Sequence, residues 1–396
     1  MIMEKIDALL LDAGFSSTPI LQSIMKLGFK SGVCGSKLTD PGHLLADKSF
    51  PVNYSIEDDV MQVVQKESIR YLLPGVTDVS YLTAAKIAEK LGLPGFDPVY
   101  VNDTLFKKDS FRRYALSKGF PVPAAVEKLS EVNQLRYPIL VKPADAYSGR
   151  GIAKILSSSE LEQAYAMAEL ESVSGNVVLE EFKEGSLHSH SAFIRDGRIV
   201  CEFFVDEYCT MYQYQVNSSC ISVNLSEAIK DHVTDCIQMI ITDLRLCDGV
   251  LHTQFITNGV DFWLIELTRR CPGDLYSQLI QYSTDIPYST WFSMPFLGMK
   301  VPAGEKRPAL KRHILRHTIS TKNPAVFYSI EHYTPPCRVI ETVVLKRCGE
   351  NLNPAPFERA AIIFAECNSE KELHEYTPIL KNYWGVKNLK GQPNEN

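Results

Sequence analysis

The sequence has no stretch approaching the roughly 18 uninterrupted apolar residues of a membrane-spanning helix. It has no C-x-x-C pair and no zinc-like grouping of cysteine with histidine. It also lacks an excess of positive charge: the net charge is -6 over 396 residues, which argues against a nucleic-acid binder that relies on a broad basic surface. The opening residues Met1-Ile2-Met3-Glu4-Lys5-Ile6-Asp7 put acids where a secretory leader needs a basic entry, and the apolar run Ala8 to Leu11 stops after four residues. A dinucleotide fingerprint is missing as well, because Asp12-Ala13-Gly14-Phe15-Ser16-Ser17 lacks the required glycine spacing. The resulting expectation is a cytoplasmic globular protein with no membrane or nucleic-acid partner, ten reduced cysteines and a small-molecule ligand.

The length exceeds what one hydrophobic core supports, so two or three domains are expected. Residues 1 to 100 alternate short apolar strands with helices: a strand over 6–12, a helix Ile20 to Leu27 opened by Thr18-Pro19, a strand near Lys30 to Cys34, a helix from about Glu57 to Lys66, a strand Ile69 to Leu73 and a helix Leu82 to Leu91. That order predicts a Rossmann-like parallel sheet.

The densest chemistry follows. Tyr137-Pro138-Ile139-Leu140-Val141-Lys142-Pro143 reads as a buried strand with Lys142 at its end, and Ser148-Gly149-Arg150-Gly151 follows as a loop able to bring backbone N–H groups close to an anion. Lys108 lies in the first turn of a helix closed by Gly119, where a cation is unfavourable unless an anion is near. Ser159-Glu160-Leu161-Glu162 reads as a capping box. Val177 to Gly185, with Glu180-Glu181-Phe182-Lys183, is either an exposed strand end or a hinge whose backbone reads an adenine edge.

Two hairpins are predicted, turning at Asp196-Gly197 and at Asn258-Gly259. His188 and His190 share a face of the first, without a third metal ligand nearby. The second places Gln254 beside Glu266, which is followed by Leu267-Thr268-Arg269-Arg270. A carboxylate, an amide and a hydroxyl at one strand end form a half-shell of hard oxygen donors of the kind that shares Mg²⁺ with phosphates. Between the hairpins, Glu207 to Ser222 reads as a loop that could act as a lid, and Leu225 to Leu246 as a helix.

In order and approximate spacing, Lys108, the Lys142 glycine loop, Glu180-Glu181-Phe182 and the Gln254…Glu266-Leu267-Thr268-Arg269-Arg270 strand end resemble the ATP-grasp superfamily, in particular its carbamoyl-phosphate-synthase-like and amino-acid-ligase branches. The resemblance covers about residues 1 to 300. It implies an α/β and α+β fold class: a Rossmann-like pre-ATP-grasp domain (1–100), an ATP-grasp domain (101–300, with subdomains 101–185 and 186–300) and a small α+β C-terminal cap (301–396).

The resemblance further implies ATP and Mg²⁺ (or Mn²⁺) as cofactors. Lys108 and Lys142 would hold phosphates under the loop Ser148, Gly149, Arg150 and Gly151. Glu180, with the backbone of Glu181, Phe182 and Lys183, would hold adenine, and His188 or Glu184 the ribose, since Leu187 stands where relatives carry an acid. Gln254, Glu266 and Thr268 would bind the metal, with Thr268 in place of the usual asparagine. Arg270 and Lys142 would be catalytic. The implied reaction joins a small carboxylate, such as an amino acid, to an amine through an acyl phosphate, releasing ADP and phosphate. The alternatives are ATP-dependent carboxylation through carboxyphosphate, or a nucleotide-binding module that has lost turnover. The partners are the carboxylate and amine substrates; a homodimer is the commonest assembly for such enzymes.

Overall fold

The computed structural model describes residues 5–145 and 149–389. Its first unit is a parallel sheet of β1 (Ala8–Leu11), β2 (Ser31–Cys34), β3 (Lys48–Phe50) and β4 (Tyr71–Pro74), in the order β3-β2-β1-β4. The unbroken Ala-Leu-Leu-Leu of β1 suits a strand covered on both faces. Leu10 packs with Ile20, Leu21 and Ile24 on one side, and Leu9 and Leu11 pack with Val60, Val64 and Ile87 on the other. The helix expected over Ile20 to Leu27 spans Thr18–Lys26, so Ser17 rather than Thr18 takes the cap position, and Thr18 Oγ1 donates to Phe15 O at 2.7 Å.

A second, antiparallel sheet comprises β5 (Ala125–Val126), β6 (Ile139–Pro143), β7 (Ala153–Ile155) and β8 (Val177–Glu181), in the order β5-β8-β6-β7. Side chains alternate along a strand. Ile139, Val141, Val177 and Leu179 therefore pack on the helix Leu161–Glu171, and Leu140, Lys142 and Glu180 line the opposite side, facing a cleft. The capping box expected at Ser159…Glu162 does not form: a short 3₁₀ turn occupies Ser158–Glu160, neither it nor the helix Leu161–Glu171 has a side-chain cap hydrogen bond, and Glu160 Oε1 accepts from the Leu156 N–H at 3.3 Å.

The third layer is an antiparallel sheet of eight strands. Both predicted hairpins are present, β9 (Ser186–Arg195) with β10 (Arg198–Tyr208) and β12 (Gly249–Thr257) with β13 (Phe262–Thr268). The 207–222 stretch is a loop only over 209–217, because Glu207 and Tyr208 complete β10 and Ser218–Ile221 forms β11. Beyond residue 300 come β14 (Ile314–Ile319), β15 (Ala325–His332), β16 (Arg338–Val344), β17 (Asn351–Leu352), β18 (Ala361–Glu366) and β19 (Trp384–Asn388). The segment expected as a separate cap supplies three of these strands to the large sheet, whose order is β13-β12-β9-β10-β11-β14-β18-β16; β17-β15-β19 form a small sheet beside it. One face of the large sheet packs Phe204, Leu251 and Phe255 on the helix Glu227–Leu244, and the other carries polar residues into the cleft. No helix among the described residues is long and apolar enough to cross a membrane.

Candidate functional site

A cavity of about 1530 Å³ lies where the three sheets meet, lined by Lys108, Lys142, Gly149, Glu180, Phe182, Lys183, His188, Gln254, Glu266 and Arg270 among others. Of the residues singled out in the sequence, Arg150, Gly151, Glu181 and Thr268 do not line it, and Ser148 lies outside the described residues. The Glu181 carboxylate instead takes the Arg136 N–H at 3.1 Å and the Lys183 ammonium at 2.9 Å. His188 shares hydrogens with Asp206 (2.8 Å) and Ser186 (2.6 Å), and His190 with Glu202 (3.0 Å), so each imidazole is committed to a carboxylate.

Lys142 forms a short ion pair with Glu180. The other Glu180 oxygen accepts from Arg112 Nε and Nη2 at 3.0 and 2.9 Å. Sequence reading did not single out Arg112, yet it also reaches β13, donating to the carbonyls of Leu264 (3.2 Å) and Ile265 (3.0 Å) and so joining the sheet of β5 to β8 to the large one. All three charged groups are nearly inaccessible, at 6, 2 and 3 % exposure for Lys142, Glu180 and Arg112. Burial works against ionisation of Glu180, but the adjacent charges of Arg112 and Lys142 prevail and hold its carboxyl at about 2. Burial lowers Lys142, and the charges of Arg112 and Lys108 add to this against the pull of Glu180. A depressed carboxyl stabilises the fold above its unfolded-state value and loses that contribution as pH falls through the folded one. Stability should therefore decline between pH 4.5 and about 2 through Glu180. In Glu180→Gln this part of the acid limb should be absent from unfolding curves recorded across that range.

The glycine loop meets the 209–217 loop directly. Gly149, at φ +71°, lies so close to Tyr214 that a Cβ at position 149 would sit 2.4 Å from the tyrosine Cβ, and Tyr212 Oη donates to Gly149 O at 3.1 Å. Gly149→Ala adds a left-handed backbone penalty to that overlap, together about 1–3 kcal/mol. If the closed loop holds nucleotide, ATP affinity measured calorimetrically should fall roughly ten- to hundredfold, and unchanged affinity would separate this contact from nucleotide binding.

On the large sheet, register places functional groups in rows. Gln254 opposes Glu266 on one side and Ser189 on the other. Glu207, two residues beyond the partner of Ser189, opposes Ser219, which opposes Arg316. Directly opposed side chains share a face, so Glu266, Gln254, Glu207 and Arg316 all enter the cleft. Gln254 Nε2 donates to Glu207 Oε2 at 2.6 Å across the small Ser189, and Arg316 Nε donates to Ser219 Oγ at 2.9 Å. Thr268 is buried, and its hydroxyl has no partner among the described residues. His252, opposite Thr268, is pushed to about 3 by burial and by the charge of Arg270 and is neutral.

The two arginines after β13 diverge. Arg269 turns inward to Asp97 (2.6 Å) and the Val250 carbonyl (2.7 Å). Arg270 reaches the cleft and pairs with Asp78 of the first unit. Arg316 was not anticipated; the signal available was a charged residue directly after the apolar pair Ile314-Leu315. A carboxylate, an amide oxygen and an unpartnered buried hydroxyl fit a hard divalent cation. Among the described residues no group of three or more His, Cys, Asp or Glu side chains forms a softer site.

A family model described as D-ala D-ala ligase C-terminus matches residues 121–273. The formate-dependent phosphoribosylglycinamide formyltransferase of Methanocaldococcus jannaschii is 24% identical over 192 residues, 46% of this chain and 49% of the relative. The carbamoyl phosphate synthase large chain of Thermotoga petrophila is 22% identical over 258 residues, 62% of this chain and 23% of the relative. The chain thus spans about half the length of the first of these curated relatives and under a quarter of the second. Among solved structures, L-amino acid ligase from Bacillus licheniformis superposes with a TM-score of 0.81 at 18% identity, covering 98% of this chain and 100% of that one. Phosphoribosylglycinamide synthetase from Anaerococcus prevotii gives 0.75 at 15% identity over 97% and 100%. With such agreement along nearly its whole length, the chain has the ATP-grasp fold.

Proposed function

We propose that the protein is an ATP-dependent carboxylate–amine ligase that works through an acyl phosphate, with residues 1–100 as the pre-ATP-grasp domain and 101–300 closing on the nucleotide. The observation that carries this reading is the meeting, in one cavity, of the Lys142 ammonium, the Gln254–Glu266 oxygen pair and the two guanidinium groups of Arg270 and Arg316. A carboxylate is a poor electrophile. Attack of its oxygen on the γ-phosphorus of ATP expels ADP and leaves a carbon with a good leaving group. The amine nitrogen then bonds to that carbon, phosphate departs and the nitrogen gives up its proton. Phosphoryl transfer of this kind depends mostly on position and charge neutralisation.

Lys142 and Lys108 would hold phosphate oxygens. Gln254 and Glu266, with the Thr268 hydroxyl behind them, would hold Mg²⁺, which when bound offsets phosphate charge. Arg316, fixed by Ser219 and by the Asp274 carbonyl at 2.8 Å, suits the substrate carboxylate. Arg270 suits the oxyanion that develops on phosphoryl and acyl groups. Closure of Gly149 beneath Tyr212 and Tyr214 would keep water from the acyl phosphate.

The test is ADP release with Mg-ATP against pooled amino acids and other small carboxylates, with hydroxylamine present to trap acyl phosphate as hydroxamate. Carboxylate-dependent ADP with matching hydroxamate, abolished in Lys142→Ala, is the expected result. ADP without hydroxamate, dependent on bicarbonate, would replace this reading with carboxyphosphate chemistry.

A further inference from the structure

Glu207 is a buried acid that none of the roles above uses. It sits on β10 at 6 % exposure, between the cation half-shell and Arg316, and a carboxylate so placed is costly unless its partners require it. Its direct partner is the Gln254 amide, whose Nε2 it accepts at 2.6 Å. The amide turns its nitrogen toward Glu207, which leaves Oε1 as the end available to a cation. An unconstrained glutamine would offer either end, and an amide nitrogen is no ligand for a hard cation.

Resting on the reading that Gln254 and Glu266 take the divalent cation, we infer that Glu207 is a positioning residue that fixes the Gln254 amide with its oxygen toward the metal. The contact is possible because Ser189 on the intervening β9 is small, so two side chains from strands that are not neighbours meet above it. The same row continues through Ser219 to Arg316, so Glu207 also ties the cation end of the cleft to the carboxylate end.

The experiment is Mn²⁺ titration followed by electron paramagnetic resonance, on the whole chain with a non-hydrolysable ATP analogue, in Glu207→Gln, Glu207→Ala, Gln254→Ala and Glu266→Gln. Glu207→Gln keeps the shape but lets the partner amide face either way, and should weaken Mn²⁺ at least about tenfold, the usual effect of removing a group that orients a ligand. Binding of the analogue in EDTA should stay within about twofold. The exchange variant Glu207→Gln/Gln254→Glu restores one acid facing one amide, and should recover Mn²⁺ affinity where a general loss of packing would not. If both Glu207 variants bind Mn²⁺ as tightly as the native chain while Gln254→Ala and Glu266→Gln do not, the positioning role is overturned and the cation site stands. If all four bind normally, the cation site itself is elsewhere and the inference falls with it.

Discussion

Glu180→Ala should lower the free energy of unfolding by about 3–5 kcal/mol, the usual cost of stripping one member from a buried ionic group. Two cations, Lys142 and Arg112, would be left in a nearly dry site with no counter-charge. Lys142→Met behaves differently, because it removes a charge that was costly to bury and leaves Glu180 with both Arg112 hydrogen bonds. Its loss of stability should therefore stay within about 1–2 kcal/mol, while the turnover proposed above should be lost. Urea denaturation of the two variants side by side measures the asymmetry. A Glu180→Ala midpoint no lower than that of Lys142→Met would show that the triad is wetter and weaker than its burial indicates. The expected pattern assigns Glu180 and Arg112 to holding the two sheets together and leaves Lys142 for the nucleotide role proposed above.

Arg270→Ala should reduce turnover about 100- to 1000-fold, the range found when a group aimed at developing negative charge is removed. ATP affinity should change little, since the charge that Arg270 offsets arises mainly in the reacting state. Arg270→Lys should recover little, because an ammonium cannot reproduce the planar fork. Asp78, which holds Arg270 from the start of the helix Asp78–Leu91, should act through it: Asp78→Asn is expected to lower kcat by a smaller factor with KM for ATP unchanged. A raised KM for ATP with kcat intact in Arg270→Ala would instead make Arg270 an ATP-binding residue.

Much of this arrangement is legible in the sequence wherever its cause is local. The turn residues Asn258-Gly259 bring Gln254 opposite Glu266, and the alternation along Ile139 to Lys142 puts the lysine on the cleft side. Groups whose partners lie far along the chain are not legible. Arg112 meets Glu180 and the carbonyls of β13 only once two sheets have packed, and no spacing in the chain announces that. Glu207, Ser219 and Arg316 align through the pairing of β10, β11 and β14, a register set by strands nearly a hundred positions apart. The acid at 180, expected to hold a base, lines the cavity and pairs there with both Lys142 and Arg112, partners that composition does not announce. That part of the expected C-terminal cap joins the large sheet is not legible for the same reason: β14, β18 and β16 are ordinary apolar runs, and only their hydrogen-bonding partners show which sheet they join.

That late contribution has a consequence for how the protein is made. As the chain leaves the ribosome, the hairpins β9–β10 and β12–β13 can pair soon after they emerge, but β11 waits with an open edge until residues 314–319 have been synthesised, and β14 waits in turn for residues 361–366. An unpaired strand edge is a template for joining another chain, and contacts distant in sequence form slowly. The nascent protein thus carries an unpaired strand edge until residues 314–319 and then 361–366 have emerged, and a polypeptide released near residue 300 would lack Arg316 and leave the β11 edge unpaired.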